Sequence, residues 1–193
     1  MRLNYAAIAP EATKALTGVN AALLRAGLDK RLMDLLFLRV SQINGCSYCV
    51  DEHARDLRQA GESNERLDGL AGWRESPYFT EAEKAALDWA ESLTHVEETH
   101  APDTAYEPLT RHYDDKQVAN ITYAISLMNA WNRVAIGFHQ GPNFTLTSAA
   151  PHEQASPRRR ATGMIQAQGA EEEDAARGHL PRDEAPRPLR ETL

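Results

Sequence analysis

No apolar run in the 193 residues approaches the ~18 that a membrane-spanning helix requires. Met1-Arg2-Leu3-Asn4 does not lead into the apolar core of a signal peptide either. The expected location is therefore the cytoplasm, with no membrane partner. Cysteine is nearly absent, with Cys46 and Cys49 the two in the chain, and this excludes the disulfide framework that staples a small secreted domain. A cationic surplus is missing too. The net charge of −7 argues against a nucleic-acid partner, and Arg158-Arg159-Arg160, facing the Glu171-Glu172-Glu173-Asp174 run, reads as solvated charge. The chain also lacks the alternation of apolar and polar residues that marks a half-buried strand, and it has no repeat of domain size.

What is present divides unevenly. From Gly141 onward the chain carries six of its ten prolines and few large apolar side chains after Ile165, so that stretch cannot offset its ordering entropy by burial. The expected organisation is one helical domain over 1–140, followed by a disordered tail over 141–193. Within the domain every strong period is helical. The spacing predicts a helix over 11–26, closed by Gly27, and a second over 30–43, whose Leu35-Leu36-Phe37-Leu38 segment is apolar on every side and ends at Asn44-Gly45. A third runs over 46–61 to a glycine stop, and a short one follows near 63–71. Thr80-Glu81-Ala82-Glu83 is a capping box opening 80–96, Pro102 suits the first position of 102–113, and Asp114 with Gln117 caps 114–138. That last helix has two apolar stripes, which places it at the centre of the domain or in a subunit interface. The fold class is all-α.

The chemistry concentrates at Cys46-Ser47-Tyr48-Cys49 and His53. On a helix that begins near Cys46, Cys49 lies in the first turn and His53 one turn later on the same face. First-turn N–H groups and the helix dipole lower a cysteine pKa from its free value of ~8.5, so the pattern points to thiol redox chemistry. With almost no loop between them, helices 30–43 and 46–61 are expected to fold back as an antiparallel hairpin. Asp34, ten residues before the Asn44-Gly45 turn, then neighbours His53, eight after it. A carboxylate, an imidazole and a thiol would line up as Asp34, His53 and Cys49.

Three other readings compete. The cysteines would serve as small core hydrophobes; or Cys46, Cys49, His53 and Asp34 would bind zinc, although the second ligand pair of a structural site is missing; or Asp34 would be a buried acid paired with Arg39 or Arg31. Tyr48 either lines the site or packs. Asn132 either sits beside the site or pairs across subunits. His95, His100, His112 and His139 have no thiol or carboxylate at catalytic spacing and read as surface or cap residues.

The run Leu38-Arg39-Val40-Ser41-Gln42-Ile43-Asn44-Gly45-Cys46-Ser47-Tyr48-Cys49-Val50-Asp51-Glu52-His53, with Asn129-Ala130-Trp131-Asn132-Arg133, resembles the alkylhydroperoxidase D-like branch of the carboxymuconolactone decarboxylase superfamily. The resemblance covers about 1–140. It implies an all-helical homo-oligomer, a trimer or hexamer, with thiol peroxidase activity that uses no heme, flavin or metal. It further implies that Cys49 attacks a small peroxide substrate to give a sulfenic acid, that Cys46 resolves it to a disulfide which a dithiol partner reduces, and that His53 activates the thiol. The family's acidic relay residue, a glutamate, falls on Asp34, and a second histidine of its best-understood member falls on Tyr48. The branch that decarboxylates lacks the cysteine pair, so decarboxylation is not expected.

Overall fold

The computed structural model describes residues 1–142. They form α1 (Tyr5–Ile8), α2 (Pro10–Arg25), α3 (Lys30–Asn44), α4 (Ser47–Gln59), α5 (Asn64–Asp68), a 3-10 turn (Gly69–Gly72), α6 (Glu81–Thr94), α7 (Val96–Thr99), α8 (Asp103–Thr110) and α9 (Asp115–Gly137). No strand occurs among the described residues. The expected tail lies outside them, apart from Gly141 and Pro142.

Local chemistry accounts for the ends of the long helices. Asp29 caps α3 by accepting the Leu32 N–H at 2.8 Å, and Gly45 closes it at φ 70, a left-handed conformation that a side chain would strain. The Cys46 N–H then donates to the Ser41 carbonyl at 3.0 Å, so the chain turns into α4 within two residues. Both expected capping boxes are formed, Thr80 with Glu83 on α6 and Asp114 with Gln117 on α9.

Packing puts α3 and α9 in the middle. Met33, Leu35, Leu36, Phe37, Leu38 and Val40 of α3 are all buried, and α3 packs against α4, α6 and α9. In turn α9 touches α2, α3, α4, α6 and α8, burying Ile121, Ile125, Leu127 and Met128 among others. Each such side chain taken out of water stabilises the fold by roughly 1.5–3 kcal/mol before entropy is counted.

Several elements differ from expectation. The helix expected over 63–71 breaks at Gly69 into α5 and the 3-10 turn. The one expected over 80–96 ends at Thr94, and α7 is separate. There Thr99 reaches back to donate to the Ser92 carbonyl at 2.7 Å, fixing a turn through His95 that no propensity announces. Pro102 is the residue before α8 rather than its first, and α8 stops at Thr110 so that Asp114 can take the extended conformation its cap requires (φ −72, ψ 168). Asn132 does not need a second subunit. It is fully buried, donates to Ser41 Oγ at 3.1 Å and accepts from Asn44 at 2.9 Å, because α9 crosses α3 where the chain turns.

Candidate active site

Cys46 is the N-cap of α4, and its sulfur accepts the Cys49 N–H at 3.4 Å. The first-turn amide therefore serves Cys46, three residues before Cys49, the cysteine that the dipole argument placed in the first turn. The two sulfurs are joined as a disulfide, and both cysteines are buried, at 1% and 3% exposure. They differ in what they face. Cys49 lines a cavity of about 300 Å³, whereas Cys46 does not.

The cavity runs between α1, α2, α3, α4 and α9. Phe37, Met128, Trp131 and Ala135 make an apolar wall, while Asn20, Tyr48, Glu52 and His53 bring polar atoms to it, and Tyr5 of α1 adds a phenol. His53 stands edge-on to Phe37, ring centroids 5.1 Å apart. Its Nδ1 is buried without a hydrogen-bond partner, as is Asn20 Oδ1. Burial, aided by the Lys30 charge and opposed by Asp56, lowers the imidazole pKa to about 4. At neutral pH His53 is thus an uncharged ring with an unpartnered Nδ1.

Asp34 is buried at 5% exposure, but its carboxylate accepts from Lys30 Nζ at 2.5 Å and makes no hydrogen bond to His53. Burial raises its pKa, and the Lys30 hydrogen bond and charge work against that rise. The arginines considered as its partners go elsewhere: Arg31 pairs with Glu62 at 2.7 Å and Arg39 with Glu91 at 2.5 Å. Lys30 was available in sequence as the i−4 neighbour on the same helix face. Four zinc donors do not converge, since no group of three or more His, Cys, Asp and Glu side chains placed to hold a metal occurs among the described residues. Tyr48 lines the cavity. His95, His100, His112 and His139 are exposed.

Sequence reasoning missed Glu52. It lies three residues after Cys49, on the face that His53 occupies at four, and that spacing was a usable signal. Its carboxyl is partly buried and its pKa is raised, by burial first and then by Asp56 and Asp51 against the lowering effects of the Tyr48 hydroxyl and Arg55. Tyr5 and Asn20 carried no signal, because distant packing brings them to the cavity.

A family model of the carboxymuconolactone decarboxylase family matches residues 10–92. The uncharacterized protein YdfG of Bacillus subtilis is 34% identical over 135 residues, spanning 70% of this chain and 92% of its own. A solved protein of unknown function from Agrobacterium tumefaciens, ATU0492, described as a putative antioxidant defence protein AhpD, is 42% identical with a TM-score of 0.72, over 74% of this chain and 98% of its own. Alkyl hydroperoxide reductase AhpD of Bradyrhizobium diazoefficiens is 49% identical over 41 residues, 21% of this chain and 22% of the relative. The chain belongs to the carboxymuconolactone decarboxylase family, in its AhpD-like branch.

Proposed function

We propose that the protein is a thiol-dependent alkyl hydroperoxidase of the cytoplasm. The observation that carries this reading is that Cys49, alone of the disulfide pair, lines a cavity shared with an uncharged His53. In the reduced protein His53 takes the Cys49 proton, and the thiolate attacks a peroxide oxygen. The S–O bond forms, the O–O bond breaks and an alcohol leaves. Cys46 then attacks the Cys49 sulfenic acid, an S–S bond replaces S–O, and water leaves. A dithiol partner returns the pair to thiols. Cys46 at the N-cap receives the Cys49 N–H, which favours its thiolate for that second step. Asp34 is proposed as a positioning residue that acts through Lys30, the cation it holds and whose charge bears on the imidazole, not as a group in contact with the ring.

A homo-oligomer, trimer or hexamer, belongs to the same proposal. Exposed apolar side chains support it, Tyr123 at 65% and Ile136 at 43% on α9 and Val19 at 38% on α2.

The test is consumption of cumene hydroperoxide with dithiothreitol as reductant, with metal content measured on the same preparation. Turnover by metal-free protein is expected, lost in Cys49→Ser and slowed several-fold in Asp34→Asn. A preparation with stoichiometric zinc and no peroxide consumption would overturn the reading in favour of a zinc-binding or redox-sensing protein.

A further inference from the structure

The thiol that faces the cavity has two acid–base groups one turn along the helix, and the chemistry just described uses only one of them. His53 takes a proton. Nothing yet gives one back to the oxygen that departs, and an alkoxide is too basic to leave unaided at neutral pH. We propose that Glu52 protonates the leaving oxygen of the peroxide, an assignment that rests on the hydroperoxidase reading.

Position is the first support. Glu52 lines the same cavity as Cys49 and His53, and its i+3 spacing puts it on the Cys49 face of α4. Its lack of a cationic partner is the second. Arg55, the nearest candidate on α4, pairs with Asp51 at 3.2 Å, and Glu52 forms no ion pair among the described residues. A solvated surface acid would have neither the cavity nor the isolation. The groups around it are Tyr48, Asp51, Arg55 and Asp56 on α4 and Tyr5 on α1. The α2 and α9 residues that complete the cavity wall are uncharged: Thr13, Thr17, Asn20, Met128, Trp131 and Ala135. In such surroundings the carboxyl keeps its proton to a higher pH than a solvated one, which suits a donor.

The balance closes. The Cys49 thiolate bonds to the terminal hydroxyl oxygen of ROOH, the O–O bond breaks, and RO⁻ takes the Glu52 proton and leaves as ROH. Sulfur is oxidised to sulfenic acid and the peroxide is reduced to the alcohol. The proton that His53 took from the thiol restores the Glu52 carboxyl, so the step consumes none.

The experiment uses full-length protein, reduced and freed of reductant, as the parent, Glu52→Gln and Glu52→Asp. Thiol loss is followed after mixing with cumene hydroperoxide, with peracetic acid, whose carboxylate leaves without a proton, and with iodoacetamide, whose iodide also needs none. For Glu52→Gln the cumene hydroperoxide rate should fall about ten-fold or more, while the peracetic acid and iodoacetamide rates near pH 7 stay within about two-fold of the parent. Glu52→Asp should recover part of the loss. Unchanged rates with cumene hydroperoxide would overturn the proposal. So would an equal fall with all three reagents, because Glu52 would then act on the thiolate or on the fold. A parent that is alkylated normally but reacts with neither peroxide would overturn both this assignment and the hydroperoxidase reading.

Discussion

His53 carries an unpartnered Nδ1 into a cavity and packs its ring on Phe37, so the fold disfavours the proton that the same ring takes readily in water. Its folded pKa of about 4 lies below the ordinary imidazole value of 6.5. Between those values the unfolded chain binds more protons than the native one, so stability rises with pH across that window and is lost as pH falls through it. Asp34 and Glu52 act in the opposite sense, because their raised values make the native state the better proton binder in acid. A comparison isolates the histidine: on moving from pH 7 to pH 5 the parent should lose more thermal stability than His53→Gln does. Equal losses by scanning calorimetry would mean that the imidazole is not held neutral. Cys46, Cys49 and His53 stood out by their spacing in the sequence, whereas Glu52, Tyr5 and Asn20, which also line the cavity, did not. The partner of Asp34 was open in the sequence between Lys30 and Arg31, both one turn before it on α3, and packing selects Lys30 by sending Arg31 to Glu62.

At the scale of elements, the turn between α3 and α4 delivers both cysteines, and an amide network centred on the buried Asn132 fixes it. Asn44 Nδ2 donates to Asn129 and Asn132 on α9, at 3.0 and 2.9 Å, and Asn132 donates to Ser41 on α3. Asn132→Ala removes a donor and an acceptor at a position with no exposure, leaving Ser41 and Asn44 under-satisfied, and should cost about 1–3 kcal/mol. Urea unfolding checks this, and a midpoint equal to the parent's would show that the network contributes nothing. The long helices were legible because caps and periodic apolar faces are local signals: Asp114 with Gln117 and Thr80 with Glu83 formed as the residues required. The short ones were not. α1 is four residues long and rests on partners far along the chain, with Tyr5 stacked on Phe138 at 5.3 Å and the Arg2 N–H bonded to the Phe138 carbonyl, contacts that no window of sequence contains.

At the scale of the whole domain over the described residues, α3 and α9 form the packed centre, and the cavity opens where α1, α2 and α4 meet them. That arrangement gives one cysteine of the pair access to a cavity of about 300 Å³ and withholds it from the other, which the motif alone does not decide. The most direct test is to treat reduced Cys46→Ser and Cys49→Ser with one equivalent of cumene hydroperoxide in the presence of dimedone and to locate the adduct by mass spectrometry. Cys46→Ser should carry the dimedone adduct on Cys49, and Cys49→Ser should carry little or none. An adduct on Cys46 in Cys49→Ser, with none on Cys49 in Cys46→Ser, would contradict the assignment of Cys49 as the nucleophile.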